Sequence, residues 1–102
     1  MLLCTHTGIK WHRPLGDDAH AVNVGVIGRP ENDGTTNVWY TVISAIPELA
    51  VEFVRVRYDA ETVAREMEAE GLPAEFAETI RTGWWTTCLE NLPAKERGRG
   101  KF

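Results

Sequence analysis

The chain has 102 residues and a mass of 11.4 kDa, which is enough for one domain but too little for two independent hydrophobic cores. Apolar residues make up 43% of it and charged residues 25%, as in ordinary soluble domains, which excludes collagen-like and wholly disordered chains. The formal net charge of −4 argues against nonspecific nucleic-acid binding by the folded part. The apolar runs fall far short of the roughly 20 residues that cross a membrane, so we expect no membrane association.

Four strands are predicted in the first part of the chain, where alternating and β-branched residues dominate. Valine alternates with smaller residues in 19–27, and 38–46 is rich in β-branched and aromatic residues until Pro47 ends it. The segment between them, 28–37, is rich in Gly, Pro, Asn and Asp and is predicted to be a loop. The predicted strands are 2–13, with a bend at Gly8, 19–27, 38–46 and 50–58.

After the last predicted strand, apolar residues recur at the three- and four-residue steps of a helix. Asp59 is a good N-cap for a helix over 60–70, and Gly71 stands where helices often end in a left-handed residue. A second helix is predicted from Pro73 until Pro93 stops it. Strands followed by helices favour an α+β fold, in which two helices pack on one face of an antiparallel meander of three to four strands.

One face of the predicted sheet is the first candidate interaction surface. Regular alternation turns a valine-rich face, including Tyr40 and Val42, toward the helices. The reverse face then combines aromatic, aliphatic and cationic side chains, which is typical of interaction surfaces. Its members are Asn23, Trp39, Thr41, Ile43, Val51, Phe53, Arg55 and Arg57. Two alternatives remain open: the loop 28–37 or the first strand covers this face, or Trp39 and Phe53 stack on single-stranded nucleic acid.

The second predicted helix has a wider apolar arc than one sheet contact needs. Trp85 and Leu89 lie at the far end of that arc and are candidates for contact with a partner, and packing against the first helix is the simpler explanation. Gly83, in the interior of this helix, costs about 1 kcal/mol relative to alanine and allows a bend.

Charge is distributed unevenly along the chain. Residues 59–92 carry two Lys or Arg against eight Asp or Glu, whereas residues 93–102 carry four against one. We interpret the helical glutamates as solvated surface or as a docking face for a basic partner. We expect a single domain over 1–93 and a basic disordered tail over 94–102, the only part expected to contact nucleic acid.

Residues suited to catalysis or metal binding are concentrated near the N-terminus: Cys4, His6, His12, Asp17, Asp18 and His20. They lack the short ligand spacings of structural zinc sites, so the sequence predicts no metal, cofactor or catalytic residue. The second cysteine, Cys88, is distant from Cys4, and no secretion signal is evident. We therefore expect reduced thiols and a cytoplasmic location.

These patterns favour a small non-enzymatic protein that binds another macromolecule, such as a phage- or mobile-element-encoded inhibitor or regulator of a host protein, with a homodimer as a further expectation. A bacterial or phage source follows from the preference for Arg over Lys, which is typical of GC-rich genes. The alternative is a small enzyme or a ligand- or metal-binding domain that uses the N-terminal His, Asp and Cys residues. The predicted binding residues are Trp39, Ile43, Phe53, Arg55, Arg57, Trp85 and Leu89.

Overall fold

Five short strands precede the helices, and they form two sheets rather than one. The computed structural model describes residues 1–98. The first sheet contains β1 (Leu2–Cys4), β2 (Trp11–Pro14) and β3 (His20–Asn23), and the second is a hairpin of β4 (Val38–Ser44) and β5 (Ala50–Val56). The α+β class is therefore confirmed, whereas the prediction of one antiparallel meander is wrong.

β3 is the central strand of the first sheet, parallel to β1 and antiparallel to β2. The predicted strand 2–13 is interrupted because the chain turns at Gly8, whose φ of 71° lies in the left-handed region. β3 ends at Asn23 rather than at Ile27, because the Asn23 side chain accepts a hydrogen bond from the Gly25 N–H at 3.0 Å. Gly25 also has a positive φ, so it completes this turn and separates the two sheets.

The hairpin keeps the predicted alternation of side chains. Its antiparallel register pairs residues that were predicted to share a face: Trp39 with Arg55, Thr41 with Phe53, and Ile43 with Val51. Tyr40 and Val42 belong to the opposite face. Within residues 1–98 neither strand pairs with a third one, so both edges of the hairpin lack a ladder partner.

α1 (Ala60–Ala69) begins where the sequence predicts and ends one residue earlier. The Asp59 side chain caps it by accepting a hydrogen bond from the Thr62 N–H at 3.1 Å. Gly71 follows the helix with a φ of 74°, a left-handed conformation that glycine adopts without steric cost. Both predicted end signals of this helix are therefore confirmed.

α2 (Ala74–Thr82) is much shorter than predicted. Gly83 takes a φ of 75° directly after it and ends the helix, so the prediction of a helix extending to Pro93 is wrong. A 3-10 turn (Leu89–Asn91) and α3 (Ala94–Arg97) follow. The segment expected to be a disordered tail thus starts with a short helix, and its residues 99–102 lie outside the described part.

α1 and α2 pack together around small side chains. Ala64, Ala77 and Ile80 are each at most 4% exposed, and Val63 and Met67 pack against this cluster. Alanine at the contact lets the two helices approach closely.

The helix pair lies against only the base of the hairpin, where Val38 is 4% exposed. Farther along the same face, Tyr40 and Val42 are 44% and 40% exposed. The prediction that the helices cover this whole face is therefore wrong, and the molecule is elongated, measuring 48 × 27 × 19 Å. No helix of residues 1–98 is both long and apolar enough to cross a membrane.

Arg81 of α2 joins the two helices through carboxylates of α1. Its Nε lies 2.9 Å from Glu61 Oε2, and its Nη1 lies 2.5 Å from Glu68 Oε1. The hydrogen bonds from Arg81 lower the pKa of both carboxyl groups. Their ionised forms therefore stabilise the fold above the unfolded-state pKa of about 4.3, and this stabilisation is lost as the pH falls through the lower folded-state pKa values.

We expect the thermal midpoint of the protein to decrease as the pH is lowered from about 5 to about 3, because protonation of Glu61 and Glu68 removes their ion pairs with Arg81. Arg81→Met should have a lower midpoint at neutral pH and a shallower decrease over the acid range. Thermal melts followed by circular dichroism measure both slopes. Parallel decreases in the two proteins would contradict the prediction.

Candidate interaction surface

Trp39, at the base of the predicted binding face, is partly buried beneath a cation of its own chain. Lys10 Nζ lies 3.7 Å from the centroid of the Trp39 ring. Lys10 is held there by Glu31, because its Nζ is 2.7 Å from Oε2 and its backbone N–H donates to Oε1 at 2.7 Å. Glu31 is only 8% exposed, so the pair lies largely out of solvent. Trp39 thus connects the hairpin to the segments that precede it.

The middle of the same face lies opposite the segment after β3. Thr41 Oγ1 donates a hydrogen bond to the Val24 carbonyl oxygen at 2.9 Å. A cavity of about 360 Å³ is lined there by Ile43 of the hairpin and by Leu3 and Ile27 of the preceding segments. Leu3 and Ile27 are 54% and 60% exposed. The N-terminal segments therefore contact this face near Trp39 and Thr41 and leave it open near Ile43.

Exposed charges lie at both ends of β5. Arg55, which lies opposite Trp39, and Arg57, just beyond the strand, are exposed near the base of the hairpin. Glu48 and Glu52 are exposed near its turn. Among the described residues, none of these four has an opposite charge within ion-pair distance. The hairpin therefore has a cationic base and an anionic tip.

The opposite face of the hairpin is apolar, as its alternation predicts, but it is exposed rather than covered by the helices as expected. Tyr40 and Val42 are exposed there, and Val54, which pairs with Tyr40, is partly buried. No charged residue occurs from 38 to 46, so both faces of β4 are free of charge. The absence of charge on both faces is typical of a strand that is covered on both sides. Two-stranded hairpins are marginally stable unless they pack against other elements, and the helices cover only the base of this face.

Trp85 lies inside the chain rather than on a helix surface. It is 6% exposed, and its Nε1 donates a hydrogen bond to the Pro30 carbonyl oxygen at 2.6 Å. The Arg29 guanidinium stacks 3.6 Å from the centroid of its ring. Leu89 is partly buried in the 3-10 turn. The predicted helical arc that joined Trp85 and Leu89 does not exist, because α2 ends at Gly83.

Trp85 contacts the loop of residues 28–35, which connects several segments and is called the junction loop below. Pro30, Glu31 and Asn32 are buried, although the sequence indicates only turns there. Asn32, 1% exposed, accepts a hydrogen bond from the Trp85 N–H at 2.8 Å and donates to the Glu96 carbonyl oxygen at 2.8 Å. This one side chain thus ties the loop to two segments beyond α2.

We expect Asn32→Ala to lower the free energy of unfolding by about 2–4 kcal/mol, because it removes the hydrogen bond to the buried N–H of Trp85 and the one to the Glu96 carbonyl oxygen. Alanine is also unfavourable at the φ of 62° found here. Asn32→Gly keeps that conformation accessible and should cost about 1 kcal/mol less. Urea denaturation measures both values. A cost below about 0.5 kcal/mol for the alanine variant, the usual range for a surface substitution, would contradict the prediction.

The N-terminal Cys and His residues do not come together in one cluster. His12 Nε2 and His20 Nδ1 are 2.9 Å apart on one face of the first sheet. Cys4 belongs to the other face, with its Sγ 3.7 Å from the Val22 carbonyl oxygen. Within residues 1–98 there is no group of three His, Cys, Asp or Glu side chains placed to hold a metal ion. The first sheet therefore separates the thiol from the two imidazoles.

The candidate interaction surface is therefore the hairpin. Ile43, Val51 and Phe53 lie on one of its faces, and Tyr40 and Val42 lie on the other. Comparison with protein-family models, with curated proteins and with solved structures gives no match to this chain.

Proposed function

We propose that this protein is a non-enzymatic protein-interaction module and that its hairpin packs against the hairpin of a second copy. The observation that carries the proposal is the two-faced apolar character of β4 and β5. Tyr40 and Val42 are exposed on one face, Ile43 borders an open cavity on the other, and neither edge has a ladder partner within residues 1–98. Burial of such side chains contributes about 1.5–3 kcal/mol each, which favours association.

The charges of the hairpin support a second copy as the occupant. In a symmetric dimer the same surface is used by both chains, so a two-fold axis across antiparallel hairpins places the base of one beside the tip of the other. The base of each chain, with Arg55 and Arg57, then lies beside the tip of its partner, with Glu48 and Glu52. All four side chains are exposed and without an ion-pair partner among the described residues. Such complementarity fixes the orientation of an interface.

The molar mass in solution is the first test. Light scattering or sedimentation equilibrium should give about 23 kDa, twice the chain mass of 11.4 kDa, in the micromolar range. The dissociation constant should rise with salt, because the exposed pairs between base and tip are screened. A mass of one chain throughout the micromolar range would overturn the proposal.

A charge exchange tests the orientation. The variant Arg55→Glu with Arg57→Glu has an anionic base and tip, and the variant Glu48→Arg with Glu52→Arg has a cationic base and tip. Each alone should remain monomeric because like charges meet across the axis. An equimolar mixture should form a heterodimer, since every base then faces an opposite tip. Failure of the mixture to associate, with both variants folded, would overturn the antiparallel arrangement.

A further inference from the structure

An apolar groove lies between the base of the hairpin and the helix pair. It consists of two adjoining cavities of about 320 and 180 Å³, which share Gly28, Met67 and Ile80 in their walls. This size is within the usual range for small-molecule sites, which are mostly apolar with a few polar groups. The remaining wall residues are Ile27, Arg29, Val38, Val56, Tyr58, Val63, Phe76 and Thr79.

Within residues 1–98, Arg29 is the only charged residue that lines this groove, and none of the ion pairs there involves it. It is partly buried and lines the smaller cavity. Its contacts are the Trp85 ring and the Thr87 carbonyl oxygen, to which Nη2 donates at 2.9 Å, with the Cys88 thiol nearby. Burial lowers its pKa, the sign of a charge that has lost water. No carboxylate lies within ion-pair distance of it in residues 1–98.

The other polar groups of the groove are neutral. Thr79 is 2% exposed, and its hydroxyl has no hydrogen-bond partner within the described residues. Burial raises the pKa of Tyr58, so its phenol remains protonated. The groove walls formed by residues 1–98 thus contain one cation, two hydroxyl groups and otherwise apolar groups, which match a ligand with one negative charge and a hydrocarbon body.

We propose that the groove binds an amphipathic monocarboxylic acid, with its carboxylate on Arg29 and its hydrocarbon part along Met67 and Ile80. A carboxylate supplies the planar, charge-assisted partner that a guanidinium prefers. The hydrocarbon part replaces water against the apolar wall between α1, α2 and the hairpin base. The groove adjoins the face of Tyr40 and Val42 at the hairpin base, but neither residue lines it, so the proposal does not depend on dimer formation.

Octanoate and 1-octanol are the matched probes, because they share the alkyl chain and differ in the charged group. We expect titration followed by NMR to shift the methyl signals of Met67 and Ile80 and the indole N–H signal of Trp85. Octanoate should bind at least about tenfold more tightly than 1-octanol, an effect in the range of one charge-assisted hydrogen bond. Equal affinities, or shifts that do not include these signals, would overturn the proposal.

Two variants locate the site. Arg29→Met should reduce the affinity for octanoate about tenfold, to that for 1-octanol, and leave 1-octanol binding unchanged. Gly28→Leu adds a side chain to the shared wall, where a Cβ would meet no atom within 4 Å, and should abolish binding of both probes without unfolding the protein. Unchanged binding of both probes to a folded Gly28→Leu variant would overturn the proposal even where Arg29→Met fails to fold.

Discussion

Gly83→Ala is expected to lower the free energy of unfolding by about 4 kcal/mol or more, or to prevent folding. The residue has a φ of 75°, which costs an alanine about 1–2 kcal/mol. A Cβ there would also overlap the backbone of Thr35, so the junction loop would have to move. That movement would break the hydrogen bond from the Gly34 N–H to the Gly83 carbonyl oxygen, now 3.2 Å long. Urea denaturation followed by circular dichroism measures the loss.

Gly71→Ala is the matched control for this prediction. Gly71 also follows a helix with a left-handed φ, 74°, but a Cβ there would meet no atom within 4 Å. Its substitution should cost only the conformational strain of about 1–2 kcal/mol. Similar losses for Gly71→Ala and Gly83→Ala would show that the contact with Thr35 contributes nothing.

The double substitution of Tyr40→Ser and Val42→Ser is expected to convert the dimer into a monomer. Both side chains are at least 40% exposed in the single chain, so the substitutions remove little burial from the monomer. In the proposed dimer they lie in the interface, and losing about 3 kcal/mol there raises the dissociation constant more than about a hundredfold. Sedimentation equilibrium of both proteins at the same concentrations gives the two constants.

Leu72→Ser is the control for a general loss of apolar surface. Leu72 is 46% exposed, as much as Tyr40, but lies between α1 and α2 rather than on the hairpin. This variant should associate like the wild type. An equal weakening by Leu72→Ser would indicate nonspecific association through apolar surface.

The local features of the fold are those that the sequence predicted best. The register of β4 with β5 follows from alternation over 38–58, and α1 follows from the capping residue Asp59 and from Gly71. These features depend on residues that are neighbours along the chain, so the pattern contains the necessary information. In the hairpin, the predicted binding residues Trp39, Ile43, Phe53 and Arg55 therefore share one face, as expected.

The end of α2 was not predicted, although Gly83 gives the same signal as Gly71. The apolar spacing continues past Gly83 into Trp84 and Trp85, which favoured a longer helix. Gly83 also lies against the backbone of Thr35, which is far away in sequence, so a spacing pattern along the chain cannot show this contact. The burial of the junction loop was missed for the same reason, because turn-forming residues indicate a surface loop unless the partner segment is known.

The alternation of residues in the first sheet predicts a strand topology that the structure does not have. Valine alternation through 22–26 favoured one long strand, but Asn23 and Gly25 form a turn within it. The helices cover only the hairpin base, so Tyr40 and Val42, which the alternation predicts to be buried beneath them, are exposed.

The junction loop also determines when the parts of the molecule come together. The first sheet, the hairpin and the helix pair are each made from segments close in sequence, whereas Asn32 bonds to Trp85 across 53 positions and to Glu96 across 64. Because closing long loops is entropically costly, we expect these bonds to form after the folding transition state. Substitutions in the junction loop should then accelerate unfolding while leaving the folding rate nearly unchanged. The lifetime of the folded chain is therefore determined at this loop.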